Sequence, residues 1–341
     1  DIIRAMKIAL FEVSKNGQDI LSKLFGDLEV SFFEEKLNEE TMGKVSDVEV
    51  ISVFTNSVVN KNIIDQLPNL KLVNTSSTGF DHIDVAYCKT KNITVTNVPA
   101  YGSVTVAEFA FALILTLSRK IFHAYHNLRE GADFNISSLQ GFDLNGKKIG
   151  VIGTGKIGKN IVKIAKGFGM DILACDSHPD LVFAKENNFK YKTFSEVISG
   201  ADILTLHVPY TKGNHHLINK DNISLMKKGV CLINTARGEL IDTEALIWGL
   251  KEGIIAGAGL DVLEGERELK EEVEILASPS KAERVKDYKT LLEDHILIDM
   301  SNVIVTPHIA FNSREAERRI FETTAENIKG FLNKNLVNTV K

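Results

Sequence analysis

Residues 147–177 read “KKIGVIGTGKIGKNIVKIAKGFGMDILACDS”, and this stretch decides the fold. A short apolar run reads as a buried strand, three glycines follow as G-T-G-K-I-G, and a helical pattern begins at once. Gly153 permits a tight turn, Gly155 lets a ligand approach the backbone, and Gly158 lets helix and strand pack closely. A second apolar run ends at Asp176, eighteen residues after Gly158. This order predicts a βαβ unit.

This context favours a dinucleotide, although the glycine pattern alone would be a weak signal. The N-terminus of the predicted helix offers free N–H groups and a positive dipole end to a pyrophosphate. Asp176 is placed to accept bonds from the adenosine ribose hydroxyls and to repel a 2′-phosphate. No arginine follows it in “DSHPD”. The sequence therefore predicts NAD, rather than NADP, as the cofactor.

Strands and helices alternate along most of the chain, which predicts two parallel α/β sheets flanked by helices. The interruption “NVPAYGS” (97–103) separates them, and a nearly continuous apolar helix from Thr105 to Leu117 follows, which we expect to be buried. Predicted strands are 7–13, 48–54, 70–75, 93–98, 148–153, 171–176, 203–208, 230–234 and 257–262, with a further strand at Val303. Predicted helices lie near 16–25, 60–67, 83–91, 156–168, 195–200, 219–228, 242–252 and 313–332.

Length and charge narrow the class of protein. A chain of 341 residues exceeds the usual size of one core, so we expect two domains. A net charge of −5 does not indicate the excess of basic residues that binding to nucleic acid or to a membrane surface usually requires. This favours a small molecule as the partner. Three widely separated cysteines indicate neither a disulfide framework nor a metal cluster, and they fit a reducing cytoplasm. No metal site is expected.

One segment stands apart in composition. Residues 264–294 hold ten acidic and six basic side chains. We interpret the segment as a solvated helix or lid edge, an exposed insertion without chemistry of its own.

Polar side chains follow three strands of the second sheet, where ligands of open α/β sheets bind. Arg237 ends “CLINTARGEL” (231–240), Glu264 and Glu266 follow Asp261, and His308 ends “VIVTPHIA”. A guanidinium can clamp a carboxylate, and a histidine beside a carboxylate can donate a proton to a developing alkoxide. The residues alone leave open whether these side chains converge or are unrelated.

These residues resemble the D-isomer-specific 2-hydroxyacid dehydrogenases along nearly the whole chain. The matching motifs are “STGFDHIDV” (77–85), “VPAYGSVTVAEFAF” (98–111), the glycine loop, “LHVP” (206–209), “NTARGELID” (234–242), “GLDVLEGE” (259–266) and “TPHIAF” (306–311). The resemblance implies that Arg237, Glu266 and His308 are catalytic. Glu266 is selected over Glu264 because the family's carboxylate lies five residues after Asp261.

The resemblance also implies the binding residues. Thr78 and Gly79 would hold the substrate carboxylate through their backbone, with Arg237, and Tyr101 would line the substrate pocket, unless it is only an aromatic packed in the hinge. The residues expected along the cofactor are Gly153, Gly155, Lys156, Ile157, Gly158, Asp176, His207, Val208, Pro209, Asn214, Thr235, Ala236 and Asp261.

The implied fold has two Rossmann-like doubly wound parallel-sheet domains. Residues 1–102 and 309–341 would form a discontinuous, flavodoxin-like substrate domain, and residues 103–308 the NAD-binding domain. The family also implies a homodimer through the NAD domain, to which the helix from Thr105 to Leu117 would contribute.

The implied reaction is reduction of a 2-keto acid by NADH to the D-2-hydroxy acid. Tyr101 favours the D-lactate dehydrogenase branch and pyruvate, while formate oxidation is disfavoured because such members carry glutamine at the position of Glu266. Other substrates remain open: 2-ketoisocaproate, phenylpyruvate, hydroxypyruvate and glyoxylate. The alternative class of protein is an NAD(H)-sensing, corepressor-like binding module. Robust turnover of a small 2-keto acid would distinguish an enzyme from such a module.

Overall fold

A computed structural model describes residues 6–131, 134–266, 269 and 288–340 of the chain. The chain divides into a first unit, residues 1–101 with 312–341, and a second unit, residues 102–311. The sequence placed the first boundary between the two units after residue 102, which is one residue later than in the structure. It placed the second boundary before residue 309, which is three residues earlier.

The first unit is a five-stranded parallel sheet in the order β2-β1-β3-β4-β5, which is the flavodoxin-like order. Its strands are β1 (Ile8–Leu10), β2 (Val30–Phe32), β3 (Val50–Val53), β4 (Leu72–Thr75) and β5 (Thr94–Thr96). Its helices are α1 (Lys15–Phe25), α2 (Glu39–Met42), α3 (Lys61–Asp65), α4 (Val85–Thr90) and, from the C-terminal part of the chain, α13 (Arg314–Leu332).

Helix α13 is tied to the first unit by buried polar groups as well as apolar packing. Asn327 donates from Nδ2 to Asn74 Oδ1 at 2.9 Å and to the Asn97 carbonyl oxygen at 2.8 Å. The hydroxyls of Ser76 and Thr324 lie 3.0 Å apart. These bonds connect residues far apart in the chain, so the first unit is discontinuous, as the sequence predicted.

The second unit is a six-stranded parallel sheet in the order β11-β10-β9-β8-β6-β7. Its strands are β6 (Lys148–Ile152), β7 (Asp171–Cys175), β8 (Ile203–Leu206), β9 (Val230–Asn234), β10 (Ile255–Leu260) and β11 (Val303–Val305). Tyr191 adds a parallel bridge to Ala174 beyond β7. The strand order therefore reverses between β6 and β8, and such a reversal is where doubly wound sheets bind ligands.

The helices of the second unit cover both faces of this sheet. They are α5 (Ser103–Ser118), α6 (Ile121–Gly131), α7 (Lys156–Gly167), α8 (Leu181–Glu186), α9 (Phe194–Gly200), α10 (Lys220–Ile223), α11 (Thr243–Lys251) and α12 (Tyr288–Asp299), with 3₁₀ turns at Lys212–Asn214 and Gly238–Leu240. Helix α5 packs on α7, β9 and β10, which explains its nearly continuous apolar sequence.

The end of the charged segment is mostly accessible to solvent but includes one buried carboxylate. Residues 267, 268 and 270–287 lie outside the described residues, but α12 packs against α11, with Asp294 and Leu297 buried. Tyr288, Lys289 and Leu292 are exposed, as expected for a solvated helix, so within 288–294 the expectation is wrong at Asp294. Among the described residues, no helix combines the length and the apolar character needed to cross a membrane.

Candidate active site

The glycine loop joins β6 to α7 at the reversal of strand order. Gly153 has φ +90°, and a Cβ there would lie 2.7 Å from the His207 carbonyl oxygen. A Cβ on Gly158 would lie 2.0 Å from the Gly153 carbonyl oxygen. Both positions therefore need glycine, the first for its backbone conformation and its close neighbour, the second for packing of helix on strand.

The N-terminus of α7 is suited to an anion. Gly155 is the N-cap and provides no side chain to satisfy the first N–H groups of the helix. A Cβ on Gly155 would find no heavy atom within 4 Å, so space is open in front of the backbone. Lys156 and Ile157 follow as the first residues of the helix. This open cradle fits the pyrophosphate of a dinucleotide.

Asp176 follows β7 and is held in its ionised form by neighbouring N–H and O–H groups. Its Oδ2 accepts from the Thr154 N–H at 2.6 Å and the Thr154 hydroxyl at 3.0 Å, and its Oδ1 accepts from the His178 N–H at 2.8 Å. Partial burial acts to raise the pKa of Asp176, but these hydrogen bonds outweigh it and hold the pKa below the ordinary value of 3.8. An anion at this position suits ribose hydroxyls and opposes a phosphate.

The residues after β8 close the other side of the reversal. His207 Nε2 lies 2.8 Å from the Thr205 hydroxyl, and burial lowers the pKa of His207 to about 3, so the ring is neutral. Asn214 donates from Nδ2 to the Pro209 carbonyl oxygen at 2.8 Å, which ties the loop together. Val208 approaches Gly153, because a Cβ on that glycine would lie 2.7 Å from Val208 Cγ1. Their cofactor contacts stay predictions.

Arg237 follows β9 in a turn built by Asn234. Asn234 Oδ1 accepts from the Ala236 N–H at 3.0 Å, and Asn234 Nδ2 donates to the Arg237 carbonyl oxygen at 2.8 Å. The Thr235 hydroxyl is buried without a hydrogen-bond partner among the described residues. An unsatisfied buried hydroxyl is uncommon, and a bound polar ligand would satisfy it.

The turn of Arg237 lies directly against the segment that carries Glu266. A Cβ on Gly238 would lie 2.1 Å from the Leu263 carbonyl carbon and oxygen, and 2.4 Å from the Glu264 nitrogen. Glycine at 238 is therefore what allows the two backbones to meet. The Arg237 guanidinium donates from Nη1 to the Ala236 carbonyl oxygen at 2.7 Å.

His308 and Glu266 form a pair. His308 Nδ1 lies 2.8 Å from Glu266 Oε1 and 3.1 Å from Oε2, and both side chains are about a quarter exposed, at 27 and 24%. His308 has φ +55°, a backbone conformation uncommon outside glycine. Because Nδ1 faces the carboxylate, Nε2 is the ring nitrogen that can meet a substrate.

Asp261 holds the backbone around His308. Its Oδ1 accepts from the Thr306 hydroxyl at 2.6 Å and the Ile309 N–H at 2.9 Å, and its Oδ2 accepts from the Ala310 N–H at 2.8 Å. Its carbonyl oxygen accepts from the His308 N–H at 2.9 Å. Burial raises the pKa of Asp261, although these hydrogen bonds oppose the shift. A cofactor contact stays a prediction, but Asp261 also supports the unusual conformation of His308.

Glu264, the other glutamate after Asp261, has different partners. Its Oε1 lies 2.6 Å from His216 Nε2, and its Oε2 accepts from the Thr243 hydroxyl at 2.8 Å. The ring of His215 stacks on that of His216, with centroids 3.8 Å apart. Glu264 thus secures neighbouring loops, whereas Glu266 faces His308.

The expected substrate residues Thr78, Gly79 and Tyr101 belong to the first unit. The Thr78 hydroxyl donates to the Val98 carbonyl oxygen at 2.8 Å, and the Ser77 hydroxyl donates to the Gly79 carbonyl oxygen at 2.6 Å. Tyr101 is half-buried. These bonds fix the loop after β4, and the substrate roles of these three residues stay predictions.

A doubly wound sheet with an open pyrophosphate cradle and a histidine–glutamate pair at the ends of its strands defines a dinucleotide-dependent oxidoreductase. Comparison with known proteins agrees: the NAD-binding domain of the D-isomer specific 2-hydroxyacid dehydrogenases matches residues 111–310. The chain belongs to the D-isomer-specific 2-hydroxyacid dehydrogenase family, and it is an NAD-dependent enzyme.

Similar proteins cover nearly the whole chain. The 2-hydroxyacid dehydrogenase homolog 2 of Schizosaccharomyces pombe is 38% identical over 92% of this chain and 91% of its own length. The D-lactate dehydrogenase of Escherichia coli is 35% identical over 95% and 96%, respectively. The D-lactate dehydrogenase of Aquifex aeolicus, whose crystal structure is complexed with NAD and lactic acid, is 35% identical, with a TM-score of 0.85 and 96% of each chain covered.

Proposed function

We propose that this protein reduces pyruvate with NADH to D-lactate, with Arg237, Glu266 and His308 as its catalytic residues. The observation that carries the proposal is the His308–Glu266 pair, whose carboxylate oxygens lie 2.8 and 3.1 Å from Nδ1. Similarity to D-lactate dehydrogenases supports pyruvate as the substrate. The first unit would be the substrate domain and the second unit the NAD-binding domain.

Each catalytic side chain has a separate task in this mechanism. NADH, when bound, supplies the hydride that adds to the carbonyl carbon. The Arg237 guanidinium binds the substrate carboxylate and polarises the carbonyl. His308 gives the Nε2 proton to the carbonyl oxygen as negative charge develops there. Glu266 holds the ring through Nδ1, so that Nε2 is the nitrogen directed at the substrate.

The glycine loop would hold the cofactor. The open N-terminus of α7 at Gly155 would receive the pyrophosphate, and Asp176 the adenosine ribose. The buried hydroxyl of Thr235 would find its partner on the cofactor. Backbone groups of Thr78 and Gly79 would bind the substrate carboxylate.

A substrate panel tests the proposal. NADH oxidation would be followed with pyruvate, phenylpyruvate, 2-ketoisocaproate, oxaloacetate, hydroxypyruvate and glyoxylate, and the product would be analysed on a chiral column. We expect the highest kcat/KM with pyruvate and the D-enantiomer as product. A higher kcat/KM with a bulkier acid would show that the preferred substrate is a 2-keto acid other than pyruvate. NADH binding without turnover of any acid would refute the proposal that the protein is an enzyme.

We also infer a homodimer formed through the second unit. Helix α6 has no buried residue, and Ile121, Phe122, Tyr125 and Leu128 are each 45 to 59% exposed. An apolar face of this kind is typical of an interface. The apolar residues of α5, the helix expected to contribute, are instead largely buried within the unit. Light scattering of wild type and Phe122→Glu would test this, with a monomeric variant expected.

A cytoplasmic location is the last part of the proposal. Cys88, Cys175 and Cys231 are free thiols, and the absence of a disulfide among them fits a reducing compartment. Cell fractionation with activity measurement would test it, and activity recovered outside the cytoplasmic fraction would refute it.

A further inference from the structure

Glu266 follows Gly265 in the segment after β10, and its carboxylate pairs with His308. Its N–H approaches the Leu263 carbonyl oxygen only at 3.4 Å, a long and weak bond. Its carboxylate nevertheless keeps both oxygens within 3.1 Å of His308 Nδ1. A group that holds the Gly265 backbone therefore helps to set where this carboxylate lies.

Asp294 on α12 provides such a group. Its side chain is fully buried, and its Oδ2 accepts from the Gly265 N–H at 2.9 Å. A Cβ on Gly265 would lie only 2.6 Å from the same oxygen. Because Gly265 has no side chain, the Asp294 carboxylate can approach the backbone immediately before Glu266.

The buried carboxyl group of Asp294 is costly to the fold. Its Oδ1 has no hydrogen-bond partner among the described residues. Burial raises the pKa of Asp294 to about 7, with Glu264 and Glu293 adding to the shift and the Gly265 N–H and His295 opposing it. An apolar residue would pack α12 against its neighbours without this cost, so the carboxyl group indicates a role in holding the turn.

We propose that Asp294 is a positioning residue for hydride transfer, which fixes the Gly265 backbone so that Glu266 stays on His308. It acts through Glu266 and is not itself a catalytic residue. The inference rests on the proposed function, because it needs a reaction in which the His308–Glu266 pair takes part.

Two variants and one control measure this role. Asp294→Ala removes the acceptor, and we expect kcat with pyruvate to fall about 10- to 100-fold, as is usual for a residue that orients a catalytic group. Asp294→Asn keeps an acceptor for Gly265, so its kcat should stay within about threefold of wild type. Glu293→Gln, a loss of one negative charge at the adjacent position, should leave kcat unchanged. The Kd of NADH should not change in any of them.

A double-mutant cycle separates positioning from a merely structural role. Once Glu266 is replaced by Gln, the further change Asp294→Ala should reduce kcat much less than it does in wild type, because the group it positions is already impaired. A structural defect would reduce kcat by the same factor in both backgrounds. If Asp294→Ala does not fold, Gly265→Ala, whose Cβ would displace the carboxylate, takes its place in the cycle.

The outcomes distinguish this inference from the function on which it rests. A wild type that turns over no 2-keto acid refutes the proposed function. An active wild type with full activity in Asp294→Ala and Gly265→Ala, or with additive effects in the cycle, overturns the positioning role alone.

Discussion

Replacing Gly155 by alanine should weaken NADH binding with little loss of fold stability. Gly155 has φ −64° and ψ −161°, an extended backbone that alanine adopts readily. Its Cβ would find no atom of the protein within 4 Å. The methyl group would therefore meet only a molecule bound in front of the helix, and any loss of affinity reports on the cofactor.

The magnitude follows from the bonds that the methyl group would prevent. A pyrophosphate needs to approach the first N–H groups of α7 closely, and losing one hydrogen bond to a charged group costs about 1.5 to 3 kcal/mol. This corresponds to a Kd for NADH roughly 10- to 150-fold higher. The melting temperature in the absence of NADH should fall only slightly, because alanine is a somewhat poorer N-cap than glycine, and it should stay well above that of Gly158→Ala.

Two other glycines of the same helix are the controls. Gly158→Ala would place its Cβ 2.0 Å from the Gly153 carbonyl oxygen, so we expect a lower melting temperature. Gly167→Ala has no atom within 4 Å and lies at the far end of α7, so it should leave NADH binding unchanged and should not lower the melting temperature. Fluorescence titration with NADH and thermal denaturation measure both. Wild-type affinity in Gly155→Ala, or instability equal to that of Gly158→Ala, would refute the reasoning.

Three further perturbations have defined outcomes. Glu266→Gln removes the charge facing His308 and should lower kcat by roughly tenfold or more with little change in the Kd of NADH; an unchanged kcat would exclude the pairing from catalysis. Asp176→Asn removes the charge opposed to a 2′-phosphate, so kcat/KM with NADPH relative to NADH should rise by roughly tenfold or more; an unchanged ratio would place the selectivity elsewhere. Asp294→Asn should flatten the dependence of thermal stability on pH. The pKa of Asp294 is about 7 when folded, against an ordinary value of 3.8, so the folded state binds more protons between these values and stability falls as pH rises through them, by about 4 kcal/mol. Melting curves of wild type and variant between about pH 4 and about pH 8 test this, and parallel curves would contradict it.

The sequence predicted the sheets well because their signals are local. The glycine loop, the strand that precedes it and the helix that follows it were expected at 148–153 and 156–168 and are found at Lys148–Ile152 and Lys156–Gly167. The turn glycines and Asp176 at the strand end can be recognised from the few residues around them. Patterns of this kind need no knowledge of distant contacts.

The missed elements lack such local signals. Strand β2 has only three residues, none of them fully buried, at the edge of its sheet. Helix α6 is an exception, because Ile121, Phe122, Tyr125 and Leu128 recur at helical spacing and form an apolar face, although that face is exposed. Asp294 lies in a highly charged stretch, where composition indicates exposure, and only its contact with Gly265 reveals that it is buried.

The sequence allowed a candidate site to be proposed from residue types, but it could not predict the geometry of that site. Arg237, Glu266 and His308 are separated by up to 71 positions along the chain, and no local pattern fixes their distances. The choice of Glu266 over Glu264 came from the family, and the structure adds the physical difference: Glu264 pairs with His216, while Glu266 pairs with His308. The positive φ of His308 and its support by Asp261 had no signal in the sequence.

The most direct test of the central claim is the rate of NADH oxidation by pyruvate in wild type and His308→Ala, with the Kd of NADH measured in parallel. We expect the wild type to turn over pyruvate, and the variant to bind NADH equally well but to lose roughly 100- to 10,000-fold in kcat, the usual contribution of a general acid. An active wild type whose variant keeps its kcat would contradict the assignment of His308 as the proton donor.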